Sequence, residues 1–135
     1  MKRNLLLFAA ALALLVTTAA SAQTIALKVN VPFGFIVNRA TLPAGEYSVE
    51  SVDDRVLAIR SLTSSTTNLV ISNSCEMTKP VGQTKLVFHR YGDRYFLNQI
   101  WVEGMSAGHQ LPVNAREKEV AKDFSMQEVM LLAKR

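Results

Sequence analysis

Only one cysteine, Cys75, occurs in the 135 residues, and only two histidines, His89 and His109. A lone thiol closes no internal disulfide, so the fold must be held by packing. Cys75 shares strand parity with Leu69, Ile71 and Met77, and no Lys, Arg or His beside it would activate a thiolate. It reads as a buried, inert thiol; an intermolecular disulfide is the functional alternative. The two histidines lie twenty positions apart, outside any HxxxH or CxxC spacing. That is too sparse for a zinc site, and neither a metal nor a cofactor is expected. Runs of Lys or Arg are missing, which leaves nucleic-acid binding without support. No internal repeat, low-complexity tract or linker to a second domain is present.

Catalytic signatures are equally thin. Gly104-Met105-Ser106-Ala107-Gly108 spells Gly-x-Ser-x-Gly, with His109 next to it. A nucleophile elbow needs a strand before it, a helix directly after it and a large α/β sheet. The chain offers neither the helix nor the size, so the stretch reads as a flexible loop. Glu46, Glu50, Asp53 and Asp54 lie close together, with Glu46 and Glu50 on one strand face. They read as solvated sheet-face charges, because a glycosidase also needs a cleft. No enzyme is expected.

What is present starts at the N-terminus. Lys2 and Arg3 precede an unbroken apolar run from Leu5 to Val16, and Ala20-Ser21-Ala22 forms a small-x-small site before Gln23. This is the order of a secretory signal peptide. A membrane span needs about 20 apolar residues, so cleavage is favoured over an uncleaved anchor. Gln23 in place of a cysteine argues against a lipid anchor. The expected mature chain is a single domain over residues 23–135, periplasmic or extracellular, and its formal charge falls from +4 to +2.

The mature sequence predicts a mainly β fold, a single antiparallel β-sandwich or small barrel-like domain with one short helix near the C-terminus. Ile25, Leu27, Val29, Val31, Phe33, Phe35 and Val37 are apolar at every second position, which predicts a strand with one face on the core. Pro32 and Gly34 predict a bulge, bend or edge within it. Leu42-Pro43-Ala44-Gly45 suits a type I turn. Residues 46–52 and 56–62 form a predicted hairpin around Asp53-Asp54, and residues 68–75 resume β character. Residues 85–91 and 94–102 flank Gly92-Asp93, where a Gly-first turn or a slightly longer loop is expected. Asn114 with Glu117 three positions on predicts a capped helix over 115–122. Residues 126–133 fit helical spacing or a buried strand. Strand is preferred, because a run apolar on every side suits burial on both faces of a sheet.

The most concentrated cluster of functional residue types is His89, Tyr91, Tyr95 and Trp101. Alternation puts His89 and Tyr91 on one face of their strand, and Tyr95, Leu97, Gln99 and Trp101 on one face of the next. A hairpin presenting these aromatics together would suit a ligand-binding surface for sugars or apolar molecules. The competing reading is ordinary cross-strand packing, at about 0.2–1 kcal/mol per pair.

Three stretches carry a resemblance. They are Val31-Pro32-Phe33-Gly34-Phe35 with Leu42-Pro43-Ala44-Gly45-Glu46-Tyr47; Phe88-His89-Arg90-Tyr91-Gly92-Asp93 with Tyr95-Phe96-Leu97; and Leu111-Pro112 before Arg116-Glu117-Lys118-Glu119. Together they resemble small exported proteins of uncharacterised function found in acidobacteria and related soil bacteria. The resemblance implies export and one compact domain, and assigns no reaction. The leading expectation is therefore a non-catalytic cell-envelope domain acting by binding or assembly. Its partner would be an envelope protein, a glycan or a small apolar ligand, with no integral membrane span after signal cleavage. A barrel carrying a small apolar ligand is the alternative, and a small hydrolase using Ser106 or a carboxylate pair comes last.

Overall fold

The computed structural model describes residues 26–135. The expected signal peptide, residues 1–22, lies outside the described residues.

In chain order the strands are β1 (Ala26–Val31), β2 (Phe35–Val37), β3 (Ala40–Leu42), β4 (Gly45–Ser51), β5 (Val56–Ser61), β6 (Thr67–Ile71), β7 (Asn73–Glu76), β8 (Lys85–Tyr91), β9 (Arg94–Trp101), β10 (Ala107–Gln110) and β11 (Met126–Leu132). Helix α1 (Ala115–Val120) stands before the last strand. One sheet has the order β1-β4-β5-β6, and the other runs β11-β8-β9-β10-β7, with β2 joining β9 and β3 joining β2. The fold is mainly β, two sheets in a sandwich-like arrangement, and neither sheet closes on itself.

The apolar alternation near the N-terminus serves both sheets. Leu27, Val29 and Val31 point inward from β1; after the break at Pro32–Gly34, Phe35 and Val37 point inward from β2. Proline has no N–H for a ladder, so the chain leaves the first sheet there and joins the second. The chain also changes sheets at Ser72, between β6 and β7. At the opposite side Lys28 and Lys134 exchange backbone hydrogen bonds of 2.7 and 2.8 Å, which ties β1 to the tail beyond β11.

Between the sheets Leu27, Val49, Leu57 and Ile59 meet Phe35, Leu86, Phe88 and Ile100. Each such side chain contributes about 1.5–3 kcal/mol of burial. The Tyr47 hydroxyl donates back to the Pro43 carbonyl, anchoring the turn into β4.

One irregularity decides which residues share a face. Phe88 pairs with Leu97 but Val87 pairs with Gln99, so Asn98 is an extra residue in β9. This bulge lets both Leu97 and Ile100 face the inter-sheet core, while Phe96, Gln99 and Trp101 face outward. The Asn98 carbonyl accepts the Leu111 N–H at 2.7 Å.

The turn between β8 and β9 has two residues, with Gly92 first at φ 62°. The helix is as expected, two residues shorter. Residues 126–132 form a strand, but an edge strand. Val129 and Leu131 pack on the core, whereas Met126, Met130 and Leu132 are exposed. The apolar run thus belongs to a half-buried strand, not one buried on both faces.

Candidate functional site

The outer face of the second sheet carries two small clusters. One joins Ile36, Tyr91, Phe96 and Val120 under α1; the other joins Val81, Val87 and Trp101, with Cys75 against it. Burial pushes the Cys75 thiol up, opposed by a hydrogen bond with the Gly108 backbone. Cys75 is half-buried rather than fully buried as expected, and its raised pKa accords with the inert part of that reading.

The structure does not gather the four predicted binding residues onto one surface. His89 lies opposite Phe96, and Tyr91 opposite Arg94, on the outer face. Tyr95 lies opposite Arg90 on the inner face, where it stacks on Phe33 at 3.7 Å and 14°. Trp101 returns to the outer face through the bulge, but it is 2 % exposed and seals against Gly108. Its indole N–H donates to the Gln99 side chain at 3.1 Å. Period-two reading put Tyr95 and Trp101 on the same face; the extra Asn98 separates them. Tyr91 is buried too, in edge-to-face contact with Phe96. These aromatics pack within and against the sheet.

His89 does acquire a charged neighbour that sequence reading assigned elsewhere. Asn114 caps α1 by accepting the Glu117 N–H at 2.8 Å, and its own amide donates to the Asn38 carbonyl at 2.6 Å. In a capping box the Glu117 side chain would turn back to the cap. Instead it points into the sheet, 3 % exposed, with Oε1 3.4 Å from His89 Nδ1. That contact is an ion-pair distance without hydrogen-bond alignment, and Glu117 Oε2 has no hydrogen-bond partner among the described residues. Desolvation raises the Glu117 carboxyl above the ordinary value of 4.5, and the nearby His89 opposes the shift. The Tyr91 hydroxyl is pushed up by burial and then by the Glu117 charge. A cavity of about 10 Å³ adjoins Glu117, Asn98 and Asn114. That is the volume of a single water, too small for an organic substrate. The pair lies between the helix and the sheet, and the cavity beside it is too small for an organic substrate.

A second polar pair sits at the corner where β6 passes into β7. Ser72 Oγ lies 2.9 Å from His109 Nδ1, and burial lowers the His109 pKa below 6.5. A serine–histidine contact is half of a nucleophilic constellation. Ser72 is buried, however, and its N–H donates to the Arg55 carbonyl at 2.7 Å. Ser106 sits on an exposed turn after Gly104 at φ 82°, and its carbonyl accepts the Met77 N–H. Strand β10 follows, so the elbow geometry is not built; the loop reading holds for Gly104–Ser106, while Ala107 and Gly108 begin β10. Glu46 and Glu50 flank Ser48 on an outer face that also carries Lys28 and Arg60, as expected of solvated sheet charges.

Among the described residues, no group of three or more His, Cys, Asp or Glu is placed to hold a metal, and no helix is long and apolar enough to cross a membrane. Of the large exposed apolar side chains, Leu69 and Ile71 lie on edge strand β6 and Met126, Met130 and Leu132 on edge strand β11, while Val52, Leu62, Met77, Val113 and Phe124 lie outside the strands. The chain matches no protein-family model, no curated protein and no solved structure.

Proposed function

We propose that the chain is an exported, non-catalytic domain of the cell envelope that acts by binding or assembly. The observation that carries this reading is the division of residues between inside and outside. The groups able to do chemistry, Glu117, His89, Ser72 and His109, are engaged with one another at buried or half-buried positions. The outward-facing apolar side chains of β6 and β11 border strand edges that no other strand pairs with among the described residues. Exposed apolar edges are surfaces that a solitary domain normally covers or charges. The resemblance to small exported proteins agrees with this reading and with removal of residues 1–22.

The interior supports a structural over a carrier role. Phe35, Phe88, Leu57 and Ile59 fill the inter-sheet space that a small apolar ligand would need. The test is the mass of the protein taken from the cell envelope under native and then denaturing conditions. The expected result is a chain starting at Gln23, with additional native mass that denaturation removes. A bare monomer under native conditions, with no adduct after cross-linking in intact cells, would overturn the binding reading.

A further inference from the structure

We infer that the free edge of β6 receives the C-terminal end of an extended partner polypeptide, paired antiparallel, with its terminal carboxylate at Arg39. This rests on the binding reading above and names the surface and the chemistry.

The backbone supplies the first argument. Ser61 donates to the Thr66 carbonyl at 3.0 Å, and Ser72 donates to the Arg55 carbonyl at 2.7 Å. Even-numbered residues of this segment therefore face β5, as antiparallel alternation requires. The N–H and C=O groups of Thr67, Leu69 and Ile71 turn to the other side, where no strand among the described residues pairs with β6. Protected edges carry Lys, Pro, a bulge or a cover. Thr67-Asn68-Leu69-Val70-Ile71 has no charge and no proline, and its Leu69 and Ile71 are 62 % and 60 % exposed.

The space beside this edge supplies the second. A groove of about 290 Å³ separates Asn68–Val70 from the β2–β3 turn, and one of about 340 Å³ separates Leu69–Ile71 from Leu111 and Pro112. They share Asn38, Leu69 and Val70, so they run on from one another along the strand. A trough bordered by a bare strand edge is suited to strand addition, in which main-chain bonds supply affinity.

Charge supplies the direction. Among the described residues Arg39 is the one charged residue lining either groove, and it lies at the Asn68 end. It enters none of the ion pairs among the described residues. A strand antiparallel to β6 finishes at that end and brings its carboxylate to the guanidinium. A parallel strand would bring an ammonium group there. Carboxylate–guanidinium pairing is a strong, charge-assisted contact.

The probe is the synthetic peptide acetyl-SVTVTV, as the free acid and as the C-terminal amide, titrated against residues 23–135. The free acid is expected to bind saturably, and the amide about tenfold more weakly. Arg39→Gln should bring the free acid down to the level of the amide. Leu69→Pro removes an outward N–H and no ladder bond, so it should abolish binding without unfolding the sheet. Leu69→Lys serves as the second edge variant. Amide exchange should slow at Thr67, Leu69 and Ile71 on binding, and stay unchanged at Val70. Equal affinity for acid and amide, no saturable binding, or exchange without that alternation would overturn the proposal. So would a dimer of the free protein that Leu69→Pro dissociates, since a second copy would then own the edge. Native mass still reports separately on whether the domain binds a partner elsewhere.

Discussion

Glu117 stands in the first turn of α1, where the helix dipole favours a negative charge, yet its carboxylate is taken out of water against His89. Groups facing it are His89 and Tyr91 from β8, with Glu128 opposite His89 on β11 and Arg94 opposite Tyr91 on β9. Its folded pKa lies above the ordinary value of 4.5, chiefly through desolvation. A raised folded value means the stabilising contribution is complete below that ordinary value and is lost as pH rises through the raised one. Glu117→Gln should therefore gain stability relative to the parent as pH climbs from 4.5 upward. Urea unfolding of both proteins across that range checks it, and a pH-independent difference would contradict it. The residue was visible in the sequence only as a helix-start glutamate. Its burial depends on β8 running beneath the helix, a contact between residues 28 positions apart that no local pattern encodes.

Among the elements, β9 shows where period-two reading stops. The hairpin with β8 and its aromatic content are evident in the residues, and of the two connections they allow, a Gly-first turn or a slightly longer loop, the structure has the former. Asn98 is not marked as a bulge by any neighbouring glycine or proline, and the one-residue slip moves everything after it to the other face. Gly108 depends on that slip. A Cβ there would meet the Trp101 ring at 2.6 Å. Gly108→Ala is expected to cost about 1–3 kcal/mol, the usual penalty of overpacking. The loss should show in thermal unfolding, with a red shift in the fluorescence of the single tryptophan. For β11 the residues allow helix or strand, and the preference for strand rests on a two-face burial that the structure does not have. Val129-Met130-Leu131-Leu132 reads as apolar on every side, and only its place at the sheet edge leaves Met130 and Leu132 in water.

For the molecule as a whole, the two sheets are joined by covalent crossings and, at one corner, by the mutual hydrogen bonds of Lys28 and Lys134. Deleting residues 134 and 135 removes that tie while leaving the central core, including Ala133, intact. Two backbone hydrogen bonds at about 0.5–1.5 kcal/mol each set the expected loss at about 1–3 kcal/mol. Exchange protection should fall first in β1 and β11 and persist in β8. Uniform loss would show that the corner holds the whole core. The sequence by itself determined the class of this protein. Alternating apolar residues, turn residues at short intervals and one capped helix point to a mainly β sandwich or small barrel-like domain, because each is a local preference written in adjacent residues. Which strands end at an edge, which face a residue joins after a bulge, and which carboxylate meets a histidine were decided only by tertiary structure. Those outcomes depend on packing between distant segments, and a bare edge such as β6 exists only once every other strand has taken its partner.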